Sequence, residues 1–209
     1  MKTWEKYKGY LETGDFHVHT DHTEGLSSVD ELCEQAVMNG LKLIAFTEHV
    51  RKSLSYDYDA LLADIKEARE RYPGLVILSG CEAAVRDREG SLDVSEDVLA
   101  KADIVVASFH SFPYGHKEDF LRALRGMLRN PRVDIWGHPA TFLRNVDLTH
   151  KELEGIIMLC KERKVLIEDS LAQAYSTPPG FLEMARELGA ATVRDSDAHS
   201  RDDLKRLAP

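Results

Sequence analysis

Seven short apolar segments, most of them followed by a stretch with helical periodicity, constrain the fold of this 209-residue chain more than any other feature. They read as buried strands: Asp15 to His19, Leu43 to Thr47, Leu75 to Leu78, Ile104 to Phe109, Val133 to Trp136, Val165 to Glu168 and Ala191 to Val193. Between them lie helical patterns with marked ends. Ser28 with Glu31 forms a capping box before Leu32, Ala36 and Val37, and Gly40 supplies a stop. A second pattern, Tyr58 to Tyr72, ends at Pro73-Gly74, and others cover Leu121 to Leu128, Lys151 to Cys160 and Phe181 to Leu188 before Gly189. Strands that alternate with helices pair in parallel through right-handed crossovers, giving an α/β architecture. An open doubly wound sheet and a closed barrel both satisfy this pattern. No internal repeat or linker marks a second unit, so residues 1–209 are expected to form one domain. Only ten residues follow His199, which leaves little for a last barrel helix, so the expectation is either a domain that is minimal there or a truncated chain.

The ionisable residues fall at particular places on this strand map. His17, His19 and Glu24 follow the first strand; Glu48 and His49 follow the second, and Glu82 the third. The fourth runs into His110, the fifth into His138, the sixth into Glu168-Asp169, and the seventh into Asp197 and His199. Parallel strands place all their C-terminal ends on one face, so these residues converge on one pocket if the strands close. Residues i and i+2 of a strand share a side, which predicts that Asp15, His17 and His19 project together. Imidazole and carboxylate donors without thiolate suit Zn, Fe or Mn.

Composition limits the partners. A formal net charge of −9 argues against broad affinity for nucleic acid, which draws its strength from Lys and Arg. Cys33, Cys81 and Cys160 form no disulfide framework or thiolate zinc motif, and no signal peptide or membrane span is evident. A cytoplasmic protein with reduced thiols is expected, with oligomeric state left open. Cys81 should point away from Glu82 into packed core. His116 and His150, beside helix starts, read as solvated.

The ordered series H-x-H (His17, His19), T-E-H (His49), G-C-E (Glu82), S-F-H (His110), G-H-P (His138) and S-D-A-H (Asp197, His199) resembles the PHP (polymerase and histidinol phosphatase) metal-dependent phosphoesterases. The resemblance implies a distorted (βα)7, TIM-like barrel with two or three divalent ions in its mouth. It assigns one ion to His17, His19, Glu82 and Asp197, with Glu82 bridging to a second held by His110 and His138. A third falls to Glu24, His49 and His199, with His22 as the alternative to Glu24. The chain departs from the family pattern at Glu48, where Asp is usual, and at Asp195, where a small residue is usual; both suit roles as partners that orient ligands.

Clustered divalent ions suit hydrolysis, because a hydroxide shared by two ions is a strong nucleophile at neutral pH and the ions offset phosphoryl charge. The expected activity is that of a phosphatase on a small phosphorylated metabolite, histidinol phosphate being one example. A phosphodiesterase or exonuclease and a non-catalytic metal-stabilised module are the alternatives. Arg144 is the first choice for a phosphate fork, with Arg51 second and Arg194 third. Glu48 joins Arg144 and Arg51 among the residues expected to serve catalysis.

Overall fold

In the computed structural model, which describes residues 2–204, seven parallel strands form one sheet in the order β1-β2-β3-β4-β5-β6-β7. The strands are β1 Gly14–Val18, β2 Leu43–Val50, β3 Val76–Ala84, β4 Ile104–Ser108, β5 Ile135–Trp136, β6 Leu166–Ser170 and β7 Thr192–Asp195. Helices alternate with them: α1 Val29–Met38, α2 Tyr58–Arg71, α3 Glu96–Lys101, α4 Lys117–Arg129, α5 Ala140–Leu143, α6 His150–Arg163, α7 Pro179–Glu187 and α8 Arg201–Leu204. The sheet curls into a nearly closed, distorted (βα)7 barrel of the TIM type. Residues 205–209, which follow the short α8, lie outside the described chain.

Local chemistry sets the helix ends. The Ser28–Glu31 capping box starts α1, and Gly40, at φ 78°, follows its end. Gly189, at φ 71°, does the same after α7. No helix among the described residues is long and apolar enough to cross a membrane.

Two apolar layers hold the barrel. Outside, the helices pack on the outward side chains of the strands, among them Val18, Ile44, Phe46, Cys81 and Val105. Inside, every strand contributes to a smaller cluster of Phe16, Leu43, Ala45, Leu78, Ile104, Val106, Ile135, Leu166 and Val193. Trp4, Tyr7, Tyr10 and Leu11, on and just after the 3-10 segment Thr3–Tyr10, plug this cluster from the N-terminal end. Gly80 belongs to the crowded interior, where a Cβ would come within 2.7 Å of Thr47 Cγ2 and 2.8 Å of Ile104 Cγ2.

The ends of the sheet meet through side chains. One parallel bridge, Val18 to Ala198, joins β1 to the chain beyond β7. Below it, Asp195 Oδ1 accepts from the Phe16 amide at 2.6 Å, and Asp15 accepts from the Ser196 amide at 3.2 Å and from the Ser196 hydroxyl. Both carboxyls are fully buried, and burial raises the proton affinity of each.

This seam corrects one expectation. Asp15 does not project with His17 and His19, because β1 carries a bulge in which the register slips between Asp15↔Ile44 and Val18↔Phe46. The bulge places Phe16 in the interior cluster and still turns His17 and His19 toward the mouth.

Candidate metal centre

The inward-facing positions of each strand change character as they climb. On β2 they run Leu43, Ala45, Thr47, His49; on β3, Leu78, Gly80, Glu82; on β4, Ile104, Val106, Ser108 and then His110. Glu168 caps the same row on β6, and Asp195 and Asp197 cap that of β7. The strands β2 and β3 extend past the apolar runs that mark them in the sequence, so His49 and Glu82 lie on strands and inherit their rigidity.

Glu82 is the hub. Its Oε1 lies 2.8 Å from His138 Nε2 and 3.2 Å from His110 Nε2. Its Oε2 faces three further rings: His49 Nδ1 at 2.9 Å, His17 Nε2 at 3.4 Å and His19 Nε2 at 3.6 Å. Asp197 Oδ1 stands 3.3 Å from His19 Nε2 and 3.8 Å from His17 Nε2. At the rim, Glu24 Oε1 reaches His49 Nε2 at 2.7 Å, and the His199 ring stacks on that of His19 at 4.4 Å. The nine residues proposed as ligands from the sequence therefore lie together in one cluster.

His22, the alternative to Glu24, is occupied elsewhere by Asp64 of α2 at 2.8 Å. Glu168 is fully buried, with Oε1 2.6 Å from His17 Nδ1 and Oε2 accepting from the His138 amide. It fixes the His17 ring so that Nε2 points at Glu82 and Asp197. His138 and Asp197 adopt φ of 25° and 51°, a region that non-glycine residues seldom visit, and that strain persists where the surroundings impose it.

The donor set passes a chemical test for metal. Triads His17–His19–Glu82, His49–Glu82–His110 and His19–His49–His199 each offer ligand atoms within 4.8 Å of one another. Buried polar atoms are almost always hydrogen-bonded, yet His17 Nε2, both ring nitrogens of His19 and Glu82 Oε2 satisfy no hydrogen-bond geometry. All of these but His19 Nδ1 face the cluster centre. Burial drives the His19 ring down to about 3, so it stays neutral with a lone pair to give. Glu82 pays for burial but is held well below the usual carboxylate range by His17, His110 and His138. With the His19 ring neutral and Glu82 ionised, the cluster can hold divalent cations, whose binding would displace the protons that the neighbouring carboxylates favour on His17, His49 and His138 against the effect of burial.

The other candidates spread out. Glu48, fully buried, accepts from the Thr20 amide at 2.7 Å and from the Thr23 hydroxyl. It anchors the loop that carries Glu24 and is not among the residues that line the mouth cavity of about 1060 Å³. Arg51 lines that cavity. Arg144 lines a separate cavity of about 600 Å³ between the loops after β5 and β6, and donates to Ala174 O at 2.6 Å. Arg194 is exposed on β7, away from the mouth. Sequence reasoning missed Arg86, which lines the mouth cavity and pairs with Asp93 at 2.6 Å; its only signal was its place just after the strand of Glu82.

Comparison with known proteins agrees with this geometry. A family model described as PHP domain matches residues 15–186. A probable phosphatase of Thermoanaerobacter sp. (strain X514) is 32% identical over 204 residues, covering 92% of this chain and 81% of the relative. The DNA polymerase/3'-5' exonuclease PolX of Bacillus subtilis (strain 168) is 29% identical over 210 residues, covering 92% of this chain and 35% of that protein. In fold, the chain is similar to the histidinol phosphate phosphatase of Lactococcus lactis, solved with zinc, L-histidinol and phosphate. The TM-score is 0.66 at 15% identity, covering 94% of this chain and 92% of that one. With its motifs in order along the strand ends and the family's pattern spanning most of its length, the chain belongs to the PHP domain family.

Proposed function

We propose that the protein is a metal-dependent phosphatase that hydrolyses a small phosphate monoester at the barrel mouth. The observation that carries this reading is the Glu82 hub: one buried carboxylate facing five imidazoles, with its own Oε2 and the inward nitrogens of His17 and His19 lacking a hydrogen-bond partner. His17, His19, Glu82 and Asp197 would hold one ion, His110 and His138 with Glu82 a second, and Glu24, His49 and His199 a third. When bound, such ions lower the pKa of water and take up charge that develops on phosphoryl oxygens.

The chain's own residues supply the rest. Glu168 faces His17 Nδ1 at 2.6 Å and would keep a proton there, leaving Nε2 as the atom that ligates once an ion displaces its proton, and a carboxylate partner of this kind also raises the basicity of the ring. Glu48 and Thr20 fix the start of the loop that brings Glu24 to the rim. Arg51 lies on the mouth and can meet an anionic substrate; Arg144 acts from the neighbouring cavity, through the segment that carries Tyr175. The overall charge of −9 does not oppose an anionic substrate, because bound cations and rim arginines set the local potential.

The test is hydrolysis of a panel of phosphomonoesters, histidinol phosphate and nucleotides included, alongside a bis-ester. Wild type and His17→Ala are reconstituted with Mn²⁺ or Zn²⁺, and bound metal is measured. Phosphate released from one class of monoester by wild type and lost in the variant is the expected result. Turnover of the bis-ester alone would overturn the monoester assignment, and silence from fully metallated protein would overturn the enzyme.

A further inference from the structure

The mouth cavity, at about 1060 Å³, is the size of sites that enclose a whole organic ligand, far more than a phosphoryl group fills. Two arginines stand on one side of it. Arg51 lies two residues beyond His49, and Arg86 two residues beyond the end of β3. Among the described residues that line the cavity there is no other Lys or Arg. The loop after β6 contributes Tyr175, whose ring centroid lies 5.4 Å from that of His138.

Asp93 sits between the arginines. Its Oδ1 accepts from Arg86 Nη1 at 2.6 Å and from the Lys52 amide at 3.0 Å, and its Oδ2 lies 3.9 Å from Arg51 Nη1. One carboxylate thus serves two guanidinium groups and leaves this wall with an excess positive charge. Arg51 is 78% exposed, and its guanidinium makes no hydrogen bond among the described residues, so its donors face the cavity uncommitted. Arg86 rises from a fixed base. The bridge Val85↔Leu92 closes a small hairpin, the Asp87 carboxylate accepts from the Glu89 and Ser91 amides, and Gly90, at φ +80°, packs so closely on α4 that a Cβ would meet Met127 N at 2.3 Å.

We infer that Arg51 and Arg86 form a subsite for a second anion of the substrate, so that the natural monoester carries a carboxylate or a further phosphate on its alcohol half. Planar guanidinium forks match both groups. The metal ligands would take the scissile phosphoryl group, and Asp93 spaces the two forks. This rests on the phosphatase reading above.

Binding of non-hydrolysable alkylphosphonates tests it independently of turnover. The series has matched chain lengths ending in methyl, carboxylate or a second phosphonate, and affinities are measured by calorimetry on metal-reconstituted wild type, R51Q, R86Q and R51Q/R86Q. Wild type should bind the best-fitting anion-ended member at least about 10-fold more tightly than its methyl-ended match. Each single variant should lose part of that ratio, and the double variant should bring it within about threefold, with thermal melting showing that the fold persists. The carboxylate and phosphonate arms tell which anion is meant, and a preference for either supports the subsite. Equal affinities across the series in wild type, or a ratio that survives in R51Q/R86Q, would overturn it. A preference of the expected kind without phosphate release from any monoester would sink the phosphatase reading and leave the subsite standing.

Discussion

The lower and upper halves of the barrel interior are built on the same inward rows yet obey opposite rules. Below, Phe16, Leu43, Leu78, Ile104, Ile135, Leu166 and Val193 fill the space with apolar volume, and water exclusion stabilises the fold. Above, the same rows end in His49, Glu82, His110, Glu168 and Asp197, which crowd imidazoles and carboxylates with too few hydrogen bonds among them. Such a layer costs stability unless cations complete it. The lower half thus makes the barrel, and the upper half uses its rigidity to keep an unfavourable cluster in place.

The sharpest way to break this comparison is Glu82→Gln. It keeps the volume but removes the charge that faces five rings. Metal ions supply several kcal/mol of transition-state stabilisation, so kcat/KM should fall by at least about 10³-fold. Bound metal, measured by plasma mass spectrometry, should fall as well, while the far-ultraviolet circular dichroism stays unchanged. Full metal content with wild-type turnover would remove Glu82 from the centre.

The converse experiment is Ile135→Ala, in the lower layer. Its side chain is fully buried, so truncation should cost about 3 kcal/mol in urea denaturation. Activity per folded molecule should stay within about twofold. A loss of activity as large as that of Glu82→Gln would show that the two halves are not separable.

How far the sequence alone reveals this division depends on whether the signal is local. Strand ends and their His or acidic residues are local, so His17, His19, His49, Glu82, His110, His138, Asp197 and His199 can be found from the alternation of apolar runs with helices. What escapes depends on geometry between distant segments. The bulge in β1 moves Asp15 out of the histidine row, and nothing in GDFHVH announces it. Asp195 makes sense only when Phe16, 179 positions away in the chain, is seen to donate to it. Arg86 reaches the mouth because Asp93, across a hairpin, holds it there. Arg144 sits at a favourable place in the sequence, yet the path of the loop after β5 carries it into a neighbouring cavity.

Glu168→Gln sharpens the boundary between the halves, since Glu168 sits directly above Leu166 on the same inward row of β6. The amide can still bond to the His17 ring, but it no longer fixes the proton on Nδ1. Losses of about 10- to 100-fold in metal affinity or kcat/KM are expected for such orienting partners. Calorimetric metal titration reads this directly, and an unchanged affinity would mean that Glu168 serves only the His138 amide.

The smallest effect belongs to Cys81, the immediate neighbour of Glu82, whose side chain lies on the outer face of β3 in the layer beneath the helices. Burial pushes its thiol up to about 12, and does the same to Cys33. At pH 8 the folded protein should leave Cys33 and Cys81 unreacted with a disulfide reagent, whereas guanidinium exposes them. The sign of the pH effect follows from the same shift. The unfolded chain loses these protons near 9 and the folded chain near 12, so stability should decline as pH rises from about 9. Cys81→Ala should cost about 1 kcal/mol through lost packing and leave metal content intact. If it instead abolished metal binding as Glu82→Gln is expected to, the two faces of β3 would not act independently, and the separation between a packed wall and a reactive mouth would fail at the strand where it is drawn most closely.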